Sequence, residues 1–207
     1  PAAEHSTITS CGRENEVEAY RNMLDKFGDG LFVSVVSDSY DIYNACKNMW
    51  GGELKDQILN MGATLVVRPD SGNPELVIPK LLDILNSKFG STRNSKGYRV
   101  LNPKVRLIQG DGINLKSIGT ILRTMSGYGW SADNIVFGMG GGLLQQVNRD
   151  TLKFAMKVNE VIVNGESRDV FKDPVTDNGK RSKKGAQAVI HGVDGKLLAV
   201  RKGTVAE

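Results

Sequence analysis

Three apolar runs in this 207-residue chain stop abruptly at glycine, two of them with an acidic residue, and give way to helix-forming sequence. They are TLVVRPDSGNP (64–74), VRLIQGDG (105–112) and NIVFGMGGGLLQ (134–145). A β-branched run cut off in this way is the sequence form of a parallel βα unit, whose ligand site lies in the loops after the strands. Glycine lets the backbone approach a ligand closely, and the helix N-terminus that follows favours anions. Carboxylates on the same rim suit Mg²⁺ or sugar hydroxyls, so phosphate, ribose and metal together are the first expectation.

The remaining pattern extends this alternation. Val17, Tyr20, Leu24 and Phe27 at helical spacing predict a helix over 13–27. A buried strand follows over 31–38, then a helix capped by Asp38 and Ser39 running to about Trp50. The run 64–68 is the next strand. Asn73-Pro74-Glu75 opens a helix to about residue 88, with Pro79 as a candidate kink. Strand 105–109 precedes a helix with Leu115, Ile118, Leu122 and Met125 on one stripe, and strand 134–138 precedes a helix from Leu143 to about Leu152. Beyond it, 154–163 alternates, 172–185 reads as a polar loop, and 186–203 reads as a hairpin turning at Asp194-Gly195. The expected fold is α/β, with parallel βα units over 1–152 and an antiparallel extension over 153–207.

Composition narrows the function classes. A chain that is 40% hydrophobic can bury one sizeable core, and a net charge of +4 with 6% aromatics suits an anionic small molecule better than nucleic acid. Cys11 and Cys46 form no CxxC pair, so a reduced, cytoplasmic setting is expected. No run reaches the ~18 apolar residues of a membrane span, which argues against a membrane partner. The opening Pro1-Ala2-Ala3 without Met marks the chain as an expected piece of something longer. Alone, it is expected to expose a sheet edge, to associate, and to be inactive.

GMGGGL (138–143) fails the dinucleotide spacing, because Leu143 stands where the third glycine belongs, and no Lys-Ser or Lys-Thr makes it a P-loop. It remains a glycine nest for a phosphate, against the plainer reading of a tight turn. Arg68 and Asp70 share a strand end and a face; the plain alternative is an ion pair steadying the turn. Asp111, between two glycines, has the same two readings. His5 is a lone histidine near the chain start, His191 reads as structural, and KRSKK (180–184) reads as a solvated loop, with an accessory role near anionic ligands as the minority reading.

Taken together, PAAEHS (1–6), SVVSDSYDIYNAC (34–46), RPDSGNP (68–74), QGDG (109–112), FGMGGGLLQ (137–145), Arg149-Asp150, VFKDP (170–174) and KRSKKG (180–185) resemble the C-terminal half of the nicotinamide phosphoribosyltransferases, type II phosphoribosyltransferases. The resemblance implies an irregular α/β barrel-like domain with an antiparallel part, in a homodimer with its sites at the subunit interface. It implies transfer of phosphoribosyl from 5-phosphoribosyl-1-pyrophosphate to nicotinamide, giving nicotinamide mononucleotide and pyrophosphate with Mg²⁺, and ATP hydrolysis coupled through a phosphorylated histidine.

Carried over by position, His5 is that histidine. Arg68 contacts diphosphate and the nicotinamide end of the product, and Asp70 lies by the ribose and the Mg²⁺-bound phosphates. Gly110 and Asp111 form the ribose-binding pair, and Gly140, Gly141 and Arg149 the 5′-phosphate cradle. Ser34, Asp38, Lys157 and Lys172 are further substrate-side positions. Mg²⁺ is expected near Asp70 or Asp111, with its ligands not assigned. The alternatives are a nicotinate phosphoribosyltransferase, a phosphate- or nucleotide-binding barrel module without turnover, and, on the glycine loops alone, a barrel aldolase or isomerase.

Overall fold

The structure, a computed structural model, describes residues 1–140 and 155–203. Gly141, Arg149 and the expected helix from Leu143 lie outside the described residues. Five parallel strands form the central sheet: β1 (Ala2–Ala3), β2 (Phe32–Val36), β3 (Thr64–Arg68), β6 (Val105–Gln109) and β7 (Ile135–Phe137), in the order β1-β2-β3-β6-β7. Two further strands, β4 (Ser91–Arg93) and β5 (Arg99–Leu101), make a small antiparallel pair between them in sequence. The C-terminal part adds β8 (Glu160–Val163) paired with β9 (Glu166–Asp169), and β10 (Gln187–His191) paired with β11 (Leu197–Arg201).

The strands follow one another across the sheet, and the crossovers between them carry the helices α1 (His5–Thr9), α2 (Glu16–Phe27), α3 (Ile42–Asn44), α4 (Lys55–Asn60), α5 (Pro74–Phe89) and α6 (Leu115–Gly127). Val33, Val35, Val36, Leu65, Val67, Val105 and Leu107 are fully buried, as expected of strands covered on both faces. Helix α5 adds Val77, Ile78, Leu81, Leu82 and Leu85, and begins where Asn73 accepts a hydrogen bond from the Glu75 amide at 2.9 Å. It runs on through Pro79. At α6, Asn114 and Ser117 form a reciprocal capping box.

Three sequence expectations change. The helix after β2 is capped by Asp41, whose carboxylate accepts from the Tyr43 and Asn44 amides, and not by Asp38 or Ser39. Asp38 is engaged elsewhere, and the chain needs three more residues to turn. Helix α3 then widens into a π-helix over Ala45–Glu53. There Gly51 passes so close to α5 that an added Cβ would meet Lys88 Cγ at 2.5 Å. Lastly, Leu115 is exposed at the first turn of α6, and Ile121 takes its place in the buried stripe beside Met125.

Trp50 anchors the π-helix. Its ring stacks on Tyr20 with centroids 4.2 Å apart, and its Nε1 donates to Ser37 Oγ at 3.1 Å. Ser37 in turn donates its amide to the Arg68 carbonyl at 3.0 Å, locking the end of β2 to the end of β3. Trp50→Phe is expected to cost ~2 kcal/mol in urea unfolding, from lost volume and one lost buried hydrogen bond. An unchanged unfolding midpoint would mean the indole does not tie these strand ends.

Candidate active site at the C-terminal strand ends

In a parallel sheet all five strands end on one side, so the loops after them converge. Here they bring Glu4 and His5, Ser37 and Asp38, Arg68 and Asp70, Gly110 and Asp111, and Gly138 to Gly140 to one rim. Gly72 follows β3 at φ +81° and Gly112 follows β6 at φ +65°, left-handed conformations that bend these loops sharply back.

The centre of the rim is a buried charge cluster. His5 Nε2 lies 2.8 Å from Asp38 Oδ1, Lys172 Nζ lies 2.9 Å from Asp38 Oδ2, and Lys172 Nζ is 3.0 Å from His5 Nε2. Asp38 is 1% exposed and Lys172 5%, a depth at which charged side chains persist only when paired. Burial alone would raise the Asp38 carboxyl. The His5 hydrogen bond and the Lys172 ammonium outweigh it and hold the group well below the usual carboxylate range. Asp70 shows the opposite balance: burial and then the neighbouring Asp38 charge raise its carboxyl. His5 Nδ1 stands 3.9 Å from Asp70 Oδ2.

With Nε2 protonated the ring donates to Asp38 Oδ1 and Lys172 donates to Oδ2, the 3.0 Å approach of Lys172 to Nε2 then being a contact and not a hydrogen bond. Nδ1 is the ring nitrogen on the Asp70 side.

Lys172 arrives on a strap, residues 171–182, laid over the strand ends. Its backbone is tied down where the Asp173 amide meets the Ser39 carbonyl at 2.8 Å and the Val175 amide meets the Tyr40 carbonyl at 2.9 Å. Ser71 and Thr176 share a hydroxyl–hydroxyl bond of 2.5 Å, and Lys180 reaches the Asp70 carbonyl and the Asp111 carboxylate. Beside the cluster opens a cavity of about 320 Å³, lined by His5, Ser6, Thr9, Lys157, Phe171 and Lys172 among others. A larger groove of about 500 Å³ beside the β4–β5 turn, lined by Tyr98, Trp130 and Asp133 among others, contains none of these charges.

The sequence-predicted residues divide plainly. His5, Asp38, Asp70 and Lys172 form the cluster, and Lys157 lines its cavity. Gly110, Asp111 and Gly140 lie on the same rim, and a Cβ on Gly110 or Gly140 would meet nothing within 4 Å, so both face open space. Ser34 is buried within β2, four residues upstream of Asp38, with no side-chain hydrogen bond to the cluster among the described residues. Arg68 does not pair with Asp70: its two terminal nitrogens grip the Glu4 carboxylate at 3.4 and 3.2 Å, while its buried Nε has no partner among the described residues. The ion pair within the turn, the plain alternative for Arg68 and Asp70, does not form; Arg68 instead pairs with Glu4, just beyond β1.

Sequence does not single out Glu4, although it adjoins His5 in the motif; Lys180 belongs to KRSKK, for which a solvated loop is the main reading and an accessory role near anionic ligands the minority one. His191 lies exposed on β10, away from these partners.

The chain as a whole is similar to known proteins. The chain matches the model of the nicotinate phosphoribosyltransferase (NAPRTase) family over residues 1–199. It is 58% identical over 186 residues to the nicotinamide phosphoribosyltransferase of Xanthomonas campestris pv. campestris, covering 89% of this chain and 40% of that protein. It is 39% identical to that of Mycoplasma genitalium (89% and 43% covered) and 36% identical to that of Acinetobacter baylyi (98% and 44% covered). The chain spans about two fifths of the length of these relatives. Since the match runs through every described strand end that carries a site residue, the chain belongs to the nicotinate phosphoribosyltransferase (NAPRTase) family.

Proposed function

We propose that the intact protein carrying this chain transfers the 5-phosphoribosyl group of phosphoribosyl pyrophosphate to nicotinamide, releasing pyrophosphate and nicotinamide mononucleotide for NAD synthesis. The observation that carries this reading is the buried His5–Asp38–Lys172 cluster at the strand ends, in a chain 58% identical to a nicotinamide phosphoribosyltransferase. The test is formation of nicotinamide mononucleotide and pyrophosphate from the two substrates, read by chromatography. Nicotinate competing as the better base would favour the second reading, nicotinate phosphoribosyl transfer, which the family's name supports. Binding of phosphoribosyl pyrophosphate without product would leave only a binding module.

The chemistry fits the charges. Displacing pyrophosphate from C1 builds positive charge on the ribose and negative charge on the leaving oxygens. Arg68 and Lys172 meet the diphosphate, Asp111 and the Gly110 backbone hold the ribose hydroxyls, and Asp70 faces the developing sugar cation. Gly140, Gly141 and Arg149 receive the 5′-phosphate. Lys157 borders the entry cavity, and Ser34 supports the β2 end that carries Asp38.

Coupling to ATP falls to His5. Its Nδ1 lone pair attacks the γ-phosphorus, ADP departs, and Asp38 holds the Nε2 proton as positive charge grows on the ring. For Mg²⁺ the residues fit an ion held mainly by phosphate oxygens. No group of three His, Cys, Asp or Glu gathers into a cage among the described residues, and Mg²⁺ ordinarily takes one or two carboxylates plus phosphates and waters. Asp70 or Asp111 would supply that carboxylate, and the bound ion would neutralise charge on the diphosphate.

The parallel units over 1–152 then form part of an irregular barrel, with 153–207 as its antiparallel companion. The support is a sheet whose outer strands β1 and β7 each have one free edge among the described residues. A homodimer in the cytoplasm completes the reading. It is consistent with two unpaired cysteines and with the absence, among the described residues, of any helix long and apolar enough to cross a membrane.

Arg68→Lys is expected to lower turnover at least ~10-fold, because an ammonium reproduces neither the fork on Glu4 nor a bidentate grip on phosphate. Wild-type kinetics in that variant would confine Arg68 to its ion pair.

A further inference from the structure

Lys180 and Lys172 reach the rim on the same strap but sit in different environments. The Lys172–Asp38 pair has side chains 6% and 1% exposed, whereas the Lys180–Asp111 pair is 33% and 41% exposed. A pair as buried as the first cannot part without leaving an uncompensated charge in the interior. A half-exposed pair contributes little net stability and separates cheaply, because water screens both ends. Its place is nonetheless defined. Lys180 Nζ is tethered to the Asp70 carbonyl at 2.7 Å, and the turn presenting it is closed by Asp177, which accepts from the Gly179 amide at 2.8 Å.

We propose that Lys180 is an exchangeable counter-ion of the site, parked on Asp111 until a diphosphate-bearing sugar enters. The sugar hydroxyls take over the Asp111 carboxylate as donors, and the released ammonium turns to the diphosphate oxygens. One movement thus exposes an acceptor for the sugar and delivers a cation to the leaving group. This role rests on the function proposed above for the nature of the ligand.

The exchange has a signature that a merely structural ion pair lacks. In calorimetry on the intact protein, Lys180→Gln should weaken pyrophosphate binding about tenfold, the worth of one charge-assisted hydrogen bond. Lys180→Arg should retain most of it. Asp111→Ala should move the two ligands in opposite directions: pyrophosphate binds more tightly because Lys180 is no longer held back, while ribose 5-phosphate binds more weakly. In the Lys180→Gln/Asp111→Ala double variant the tightening should vanish, since the two changes act through one contact.

Pyrophosphate affinity unchanged in Lys180→Gln, or both ligands weakened alike by both single variants, would overturn the counter-ion role. The assay for mononucleotide formation separates this from the function itself. A wild-type protein that makes product while Lys180→Gln binds pyrophosphate normally overturns only the role of Lys180. A wild-type protein that makes none, yet loses pyrophosphate affinity in Lys180→Gln and shows the opposed Asp111→Ala shifts, overturns the transferase reading and upholds the counter-ion.

Discussion

Asp38→Asn is expected to lower turnover at least ~100-fold and to destabilise the fold by ~3 kcal/mol. Removing one member of a buried ion pair leaves the other charged and desolvated, the costliest kind of polar substitution. Here that member is Lys172, buried to 5% exposure with no other carboxylate bonded to it among the described residues. The catalytic loss has a separate origin. Asn offers Nε2 a weaker acceptor, so the imidazole loses its fixed tautomer and the charge that stabilises it once phosphorylated. Asp38 also sets an acid limb. Its folded-state carboxyl lies below the ordinary 3.8, so its stabilising contribution is complete above that pH and is lost as pH falls through the lower folded value. Urea midpoints measured from pH 7 down to pH 2 should show this limb in the wild type and lose it in Asp38→Asn. Equal stability and turnover at pH 7 would mean that the cluster is neither paired nor catalytic.

Glu16→Gln carries the opposite sign. Glu16 is buried in the first turn of α2, where Tyr20 OH donates to its Oε1 at 2.8 Å. Burial pushes its carboxyl from 4.5 up to about 7, the Tyr20 hydrogen bond and Arg13 opposing, and Asp38 and Asp41 adding to the rise. A folded-state value above the unfolded one gives stability that is present in full below pH 4.5 and lost as pH rises through about 7. Each pKa unit is worth about 1.4 kcal/mol, so the wild type should lose up to ~3 kcal/mol across that window. Glutamine keeps an acceptor for Tyr20 without a charge to bury. The variant should therefore be the more stable protein at pH 8.5, with the difference closing toward pH 5. A wild type whose urea midpoint stays flat from pH 5 to pH 8.5 would falsify the buried-acid reading.

Legibility followed the range of the interactions. Strands β3 and β6 occur at the bounds read from sequence, because a continuous β-branched run flanked by breakers has one good conformation in a covered sheet. Helix α5 likewise starts where Asn73-Pro74-Glu75 places it. Strand β1 escaped because two alanines carry no periodicity; it is a strand only because β2 pairs with it, Ala2 opposite Ser34. The π-helix escaped for a similar reason: its widened turn answers to Trp50 packing on Tyr20 and to Gly51 passing α5, contacts no local propensity encodes.

The site divides in the same way. Residues by themselves determined that glycine and carboxylate end the parallel strands, and that those ends face one rim, since the polarity of a parallel sheet leaves no other arrangement. Which groups neutralise one another was decided only in three dimensions. Lys172 meets His5 across 167 positions of sequence, Lys180 meets Asp111 across 69, and Arg68 turns to Glu4 rather than to the nearby Asp70. A charge buried in an apolar fold takes the nearest opposite charge in space, and spatial proximity is created by the crossovers and the strap, not by spacing along the chain.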